Sequence, residues 1–135
     1  MNIAYLWVAL GGALGSVARF WLNGFVAEKI GNSFPWGILI INLTGSFLIG
    51  IFAAITNPDG PLDPRTRMFT MQFFMVGICG GFTTFSSFSR DTLRLLQERH
   101  WLYAGGNVLF SFALCLLAVW LGYLLGSLFA TMRGN

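Results

Sequence analysis

Charge is what this sequence has least of. Asp, Glu, Lys and Arg together make up 10% of its 135 residues, whereas an ordinary soluble domain carries about 25% charged residues. Hydrophobic residues make up 56%, and the mean hydropathy is +0.70. This composition excludes an ordinary water-soluble domain and indicates a protein that lies in a membrane.

Cysteines are also few, and basic residues form no block. Cys79 and Cys115 both lie inside apolar runs, so they cannot build a disulfide framework, and we expect free thiols that pack as small hydrophobic side chains. Eight Lys and Arg stand against five Asp and Glu, without the basic cluster that follows nucleic-acid phosphates. Nucleic acid is therefore not an expected partner.

Long apolar runs occupy most of the chain. A bilayer is crossed by about 20 apolar residues in a helix, and four segments qualify, at about residues 3–27, 36–56, 68–99 and 102–130. The N-terminal run has no preceding Lys or Arg and is longer than the core of a signal peptide, so we expect it to be retained as the first span. The sequence thus predicts an all-α membrane protein in which residues 1–135 form a single four-span domain.

The segments between the spans carry turn and capping residues. Asn32 or Ser33 is predicted to cap the second helix, with Pro35 in its first turn, and Asp63 to cap a helix begun by Pro64. The third span differs, because helix-compatible sequence continues to residue 99, too long for a membrane helix. We expect a break near residues 80–84, where two glycines are poor continuations of a helix.

Basic residues are divided almost evenly between the two ends of the spans. Four spans place both termini and the second loop on one side, with three basic residues, against four on the other. These are Arg65, Arg67 and Arg133 on the first side, and Lys29, Arg90, Arg94 and Arg99 on the second. Because orientation follows a clear asymmetry of Lys and Arg, we expect insertion both ways. Two opposed copies could then pair as an antiparallel homodimer about an axis in the membrane plane.

Small residues recur four positions apart. The pairs are Gly11 and Gly15, Gly12 and Ser16, Ser46 and Gly50, and Gly122 and Gly126. Such pairs allow helix backbones to approach closely. Packing within one subunit and a seam between two subunits both remain open.

Polar side chains inside the spans are candidates for function, because hydrocarbon offers them no partner. They include Arg19, Asn42, Thr44, Ser46, Gln72, Thr83, Thr84, Ser86, Ser87, Asn107, Ser111 and Cys115. The last three are spaced i, i+4 and i+8, so they share one helix face as a possible ladder of hydrogen-bonding groups. The alternative is that they only join helices.

No Asp or Glu lies in the interior of any span, since Glu28 is at the end of the first and Asp91 follows the break in the third. A small proton-coupled exporter of organic cations would have similar size but needs an intramembrane carboxylate, and a cation pore is lined by acidic rings. A purely structural helix-packing subunit would not need the polar ladder. Arg19 and the remaining N–H and O–H donors favour an anion.

Three phenylalanines, Phe82, Phe85 and Phe88, follow the glycine pair at helical spacing. An aromatic ring is positive at its edge, so rings presented edge-on can contact an anion without binding it tightly. The alternative is ordinary packing in the core or against lipid.

The strings GICGGFTTFSSFSRD, INLTGSFLIG and GGALGSVARFWL closely resemble the Fluc (CrcB) family of fluoride channels, and the resemblance covers essentially the whole chain. It implies four-helix subunits with a third helix broken at the GGFTT segment, inserted in both orientations as an antiparallel homodimer. It implies a non-enzymatic function, the passive export of fluoride through two pores across the inner membrane of a bacterium.

The resemblance also implies roles for individual residues. Arg19 matches an arginine placed in an aqueous vestibule or tied to backbone carbonyls. The backbone carbonyls of Gly80 and Thr83 match those that hold a structural Na⁺ at the dimer centre, which is not transported. Ile38 and Cys115 depart from threonine and serine in some relatives. Residues of the fluoride route would be Asn42, Phe85, Phe88, Ser86, Ser87, Asn107, Ser111, Cys115 and Arg19.

Overall fold

The computed structural model describes the backbone of residues 3–134 and the side chains of residues 3–132. Residues 1, 2 and 135 of the predicted domain, and the side chain of Arg133 used in the charge count, lie outside the described residues. The helical elements are α1 (Ile3–Ile30), α2 (Trp36–Ile55), α3 (Pro64–Phe69), a π-helical segment (Thr70–Cys79), α4 (Gly80–Phe82), α5 (Phe85–Gln97) and α6 (Trp101–Gly134).

These elements make four stretches long and apolar enough to cross a membrane, at Ile3–Ile30, Trp36–Ile55, Pro64–Gln97 and Trp101–Met132. The all-α, four-span prediction is confirmed. Large apolar side chains cover much of the outer surface, with Phe20 85% and Leu102 90% exposed. Exposed apolar surface on this scale suits contact with lipid tails rather than water, so the chain is a multi-pass membrane protein.

The two predicted helix starts have different outcomes. Asp63 caps α3 as expected, because its Oδ1 accepts from the backbone N–H groups of Arg65 at 3.0 Å and Thr66 at 3.1 Å. The prediction that Asn32 or Ser33 caps α2 is wrong, since α2 begins after Pro35 and has no side-chain cap. A residue that precedes proline is disfavoured in the helical region, so the helix cannot start before Pro35.

The third stretch is not one regular helix. α3 continues into the π-helical segment and α4, and the backbone is then extended at Thr83 (φ −77°, ψ 155°) and Thr84 (φ −155°, ψ 113°) before α5 begins. π-Helical turns are rare and occur frequently at functional sites. This interruption positions the candidate site.

Small residues bring α1 against the π-helical segment and α4. A Cβ on Gly11 would collide with the Phe73 carbonyl, and one on Gly81 would lie 2.5 Å from the Gly12 carbonyl oxygen. Ser16 Oγ donates to the Gly81 carbonyl at 3.4 Å. Only glycine permits such backbone contact.

Close contact through glycines also joins α2 and α6. Cβ atoms on Gly122 and Gly126 would collide with α2, the second lying 2.6 Å from the Ile51 carbonyl oxygen, and one on Gly50 would collide with the Val119 carbonyl. At least one member of each predicted small-residue pair therefore packs within the subunit. Of the two alternatives, intrasubunit packing accounts for all four pairs.

Two polar contacts attach α5 to the rest of the bundle. Arg94 Nη2 donates to the Asn32 carbonyl at 3.3 Å, which places the α1–α2 loop beside α5. Asn107 Nδ2 of α6 donates to Thr92 Oγ1 at 2.9 Å. The segment after the interruption is thus held from both sides.

Candidate functional site

A crevice of about 660 Å³ opens between α2, the interrupted third stretch and α6. Its lining is mostly apolar, with polar groups from all three walls. The lining residues are Asn42, Gly45, Ser46, Ile49, Thr83, Thr84, Phe85, Phe88, Val108, Ser111, Phe112, Cys115, Leu116 and Val119.

Five of the residues expected on the fluoride route meet in this crevice: Asn42, Phe85, Phe88, Ser111 and Cys115. The other four, Ser86, Ser87, Asn107 and Arg19, do not line it in one subunit. Ile38, one of the two departures from the family pattern, is only 5% exposed and also lies away from it.

Asn42 bridges the interruption in the third stretch. Its Oδ1 accepts the backbone N–H of Thr84 at 2.8 Å, and its Nδ2 donates to the Thr84 carbonyl at 3.2 Å. Both bonds replace partners that a continuous helix would supply, which is how irregular backbone is tolerated inside a membrane protein. One N–H of the amide stays outside this pair of bonds, because a side-chain amide has two donors.

The interruption withdraws two helical donors from the carbonyls expected to hold Na⁺. In a continuous helix the N–H of Thr84 would face the Gly80 carbonyl and the N–H of Ser87 the Thr83 carbonyl. The first is donated to Asn42 and the second to Thr84 Oγ1 at 3.1 Å. Unwound carbonyls of this kind coordinate Na⁺ in membrane transporters, so the donor chemistry fits the expected ion.

The hydroxyl of Thr84 is the central group of the hydrogen-bond network after the interruption. It is 7% exposed, and its hydroxyl caps α5 by accepting from the Ser87 N–H. The same Oγ1 donates to Ser87 Oγ at 3.1 Å and lies 3.1 Å from Ser86 Oγ. Both serine hydroxyls are therefore held by hydrogen bonds to Thr84, and neither serine lines the crevice.

Two of the three phenylalanines that line the crevice, Phe85 and Phe88, form a pair. The ring centroids of Phe85 and Phe88 lie 5.4 Å apart with an interplanar angle of 39°. Phe85 is nevertheless 78% exposed, although it lines the crevice. One wall of the crevice is thus open at this ring.

The ladder on α6 is divided between two roles. Asn107 is 1% exposed and is bonded to Thr92, so it joins α5 to α6 as the alternative interpretation expected. Ser111 lines the crevice but donates to Asn107 Oδ1 at 3.5 Å. Cys115 is a half-buried free thiol facing the crevice, and Cys79 is a buried free thiol, as predicted. Whether Asn107 also serves the route stays a prediction.

Arg19 is half-buried on α1. Among the residues that the structure describes, its guanidinium has no ion pair and no hydrogen bond, including to a backbone carbonyl. The carbonyl tie considered from the sequence is therefore absent from a single subunit. A cation without a partner at this depth remains available to water or to an anion.

Carboxylates stay away from the crevice, which is lined by none of the chain's five acidic residues. Asp91 is the buried one, and it pairs with Arg90 at 2.9 Å. Donors without carboxylates suit an anion and offer no site for proton exchange.

Ser46 and Thr84 line the crevice; the sequence indicated both as polar candidates inside a span, but neither was expected on the fluoride route. A signal was available for Ser46, which lies four residues after Asn42 and so shares its helix face. For Thr84 the signal was its position as a hydroxyl residue directly before a helix start.

Comparison with known proteins gives a consistent match. The family model described as CrcB-like protein, Camphor Resistance (CrcB) matches residues 6–123. The fluoride-specific ion channel FluC of Rhodospirillum rubrum is 56% identical over 125 residues, covering 90% of this chain and 92% of that protein. The FluC of Methylocella silvestris is 49% identical over 132 residues, covering 96% and 98%. That of Opitutus terrae is 51% identical over 131 residues, covering 97% and 98%.

Proposed function

This chain belongs to the CrcB family, and we propose that it is a fluoride-specific ion channel that lets fluoride leave the cytoplasm passively. The observation that carries this conclusion is a crevice lined by amide and hydroxyl groups and three aromatic rings, without a carboxylate. Conduction involves no covalent step, so the protein is a channel and not an enzyme.

The direction of transport follows from the chemistry of the ion. Hydrofluoric acid crosses lipid as a neutral molecule and dissociates in a less acidic cytoplasm. A membrane potential negative inside then drives the anion outward, at about 2.3 kcal/mol per charge for 100 mV. Export therefore needs a selective pathway and no pump.

The crevice supplies what a dehydrated anion requires. Moving an isolated ion into a low-dielectric medium costs tens of kcal/mol, so donors must replace most of the lost hydration. The free N–H of Asn42 and the ring edges of Phe85 and Phe88 would provide this along one side. Neutral donors and ring edges hold the anion weakly enough to release it.

A second, inverted copy would close the open wall of the crevice. A pore exposed sideways to lipid could not keep an ion solvated, and Phe85 is 78% exposed at that wall. The nearly equal number of basic residues on the two sides supports insertion in both orientations. We therefore place two pores in an antiparallel homodimer, in which Ser86, Ser87 and Arg19 would join the route from the partner side.

The interruption at Thr83 and Thr84 would lie near the middle of the membrane in this assembly. The carbonyls of Gly80 and Thr83 would hold a Na⁺ at the dimer centre. When bound, the ion supplies positive charge to carbonyls that lack their helical donors. Asn42 and Thr84 keep these carbonyls free by taking up the N–H groups that would otherwise cover them.

The membrane concerned would be the inner membrane of a bacterium, where the potential and the cytoplasmic fluoride coincide. The relatives described above come from bacteria.

Liposome flux tests the function. Purified protein is reconstituted into vesicles loaded with potassium fluoride or potassium chloride, and efflux is started with valinomycin. We expect fluoride to leave rapidly and chloride to remain, without a pH gradient. Equal efflux of the two halides, or fluoride efflux only when a pH gradient is imposed, would contradict a fluoride channel; the second result would favour a proton-coupled exporter.

Orientation tests the antiparallel assembly. Two lysines added to the N-terminus should bias insertion to one orientation and reduce fluoride efflux from cells. A second variant with two lysines in the α1–α2 loop should insert the opposite way. Co-expression of the two should restore efflux, whereas full activity from either uniformly oriented population alone would contradict the inverted dimer.

A further inference from the structure

We propose that Thr84 is a positioning residue of the fluoride route, which leaves the hydroxyl proton of Ser87 free for donation to the anion. This inference rests on the proposed function. Thr84 itself lines the crevice, but it would act on the anion through Ser87, which joins the proposed route from the partner side. The inference follows from counting protons and lone pairs in the network after the interruption.

A threonine hydroxyl has one proton and two acceptor positions. Thr84 Oγ1 accepts the N–H of Ser87 at 3.1 Å and donates its proton to Ser87 Oγ at 3.1 Å. The remaining acceptor position faces Ser86 Oγ at 3.1 Å, so Ser86 is the donor in that pair. The proton of Ser86 is consumed in this way, and the oxygen of Ser87 is an acceptor.

The hydroxyl proton of Ser87 has no acceptor among the described residues of the subunit. Other hydroxyls of the third stretch donate to the carbonyl four residues earlier, as Ser89 does to Phe85 at 2.9 Å and Thr92 to Phe88 at 2.8 Å. Across residues 3–132, no acceptor receives the proton of Ser87, and its oxygen is turned toward Thr84 instead. A donor with no protein acceptor suits an anion.

Thr84 is well placed to impose this arrangement, because it is fixed at three points. Its N–H and its carbonyl are both bonded to Asn42, and its side chain is 7% exposed and bonded into the first turn of α5. A hydroxyl held in this way cannot rotate to take over the role of Ser87. The Asn42 contact thus transmits its effect to the route through Thr84.

Fluoride efflux from vesicles, with Ser87→Ala as the reference, tests the proposal. Thr84→Val removes the hydroxyl at nearly constant shape and should slow efflux about tenfold, the scale of one hydrogen bond to a charge. Thr84→Ser restores the hydroxyl and should return the rate to within about twofold of wild type. Thr70→Val is the matched control, because Thr70 is also 7% exposed and donates only to the Thr66 carbonyl.

The double variant separates positioning from general damage. If Thr84 acts through Ser87, Thr84→Val combined with Ser87→Ala should be no slower than Ser87→Ala alone. Losses that multiply to about a hundredfold would overturn the proposal, as would a wild-type rate in Thr84→Val. A wild-type protein that releases no fluoride would instead contradict the proposed function itself.

A second comparison does not depend on how well Thr84→Val folds. Because the proton of Ser86 is consumed by Thr84 and that of Ser87 is free, Ser87→Ala should slow efflux more than Ser86→Ala. The reverse order, or equal rates, would overturn the assignment.

Discussion

The third membrane-spanning stretch and helix α6 are equally long but are built differently. Pro64–Gln97 and α6, Trp101–Gly134, each contain 34 residues. α6 is one uninterrupted helix, whereas the third stretch contains a π-helical segment and two extended residues. A helix keeps its backbone groups paired internally, and an interruption exposes them. The wall from α6 therefore contributes side chains alone, whereas the wall from the third stretch contributes an interrupted backbone as well as the rings of Phe85 and Phe88.

This difference explains why α2 matters to the third stretch in particular. Asn42 bonds to backbone groups of Thr84 that an unbroken helix would have satisfied. α2 and α6 need no such help, because Gly122 and Gly126 of α6 already pack directly against the α2 backbone. Changes at the interruption should thus affect conduction most, and changes on α6 should affect it less.

The largest effect is expected for Asn42→Asp. The substitution loses the donor to the Thr84 carbonyl and places a negative charge on an anion route. Fluoride efflux should fall by about a hundredfold or more, because the new carboxylate would face both the Thr84 carbonyl oxygen and the passing anion, and both contacts are unfavourable. Vesicle efflux at equal amounts of assembled protein measures it.

Asn57→Asp is the matched control. Asn57 lies in the exposed α2–α3 loop, where its Oδ1 accepts from the Asp59 N–H at 3.3 Å, a role that a carboxylate can keep. A normal rate in Asn42→Asp would remove that residue from the route.

Replacing Phe85 or Phe88, the paired rings of the crevice, should have the next largest effect. Phe85→Ile or Phe88→Ile keeps an apolar side chain but removes the positive ring edge. Efflux should slow about tenfold, equivalent to ~1.4 kcal/mol of lost stabilisation along the route, while dimer assembly by gel filtration is retained. Phe129→Ile on α6, where the ring is 59% exposed and away from the crevice, should leave the rate unchanged. Unchanged rates in both crevice variants would assign the rings to packing.

Asn107→Ala addresses the wall formed by α6. It breaks the bond to Thr92 and removes the acceptor of the Ser111 hydroxyl at a buried site, at a cost of about 1–3 kcal/mol. We expect a lower thermal unfolding temperature in detergent but a nearly normal fluoride rate per folded channel. A large loss of rate with normal stability would instead place Asn107 on the route.

Cys115→Ser should have a small effect in the opposite direction. A thiol is a weak donor and a hydroxyl a stronger one, and Cys115 lines the crevice. Fluoride efflux should rise, by about twofold on the scale of a few tenths of a kcal/mol. Cys79→Ser, at a site that is 1% exposed and outside the crevice, should not accelerate efflux. An unchanged rate in Cys115→Ser would show that this rung contributes nothing.

The smallest effect is a pH dependence at the start of the third stretch, outside the membrane. The pKa of Asp63 is lowered from 3.8, chiefly by hydrogen bonding to Thr66. A lowered pKa in the folded state means that the cap contributes fully above pH 3.8 and is lost as pH falls through the lower folded value. The protection of the Arg65 and Thr66 amides from hydrogen exchange, relative to the intrinsic exchange rate at each pH, should fall in acid. Asp63→Asn should remove this dependence, since asparagine also caps helices.

The spans and the α3 cap were predictable because they depend on local sequence. Hydrophobic length alone identified the four stretches, and Asp63 followed by Pro64 identified the start of α3. The start of α2 was not predicted, because the restriction that Pro35 places on the preceding residue outweighed the capping preference of Asn32 and Ser33. The π-helical segment was not predicted from the sequence.

The candidate site was predictable only in part. Polarity inside a span, together with the family resemblance, pointed to Asn42, Ser111 and Cys115, which do meet at the crevice. Spacing could not distinguish Asn107, which joins two helices, from Ser111 one turn later, because both share a helix face. Nor could it reveal that Asn42 bonds to Thr84, since the two residues lie far apart in the chain.

The sequence by itself determined that this protein is four apolar helices with few charges and no carboxylate in the apolar interior of a span, because hydrocarbon accepts only long apolar stretches with internally paired backbones. Only the tertiary structure decided which polar groups are consumed and which stay free. That outcome depends on hydrogen bonds between residues distant in sequence, such as Asn42 with Thr84 and Asn107 with Thr92. Each donor or acceptor used in packing is no longer available to an ion.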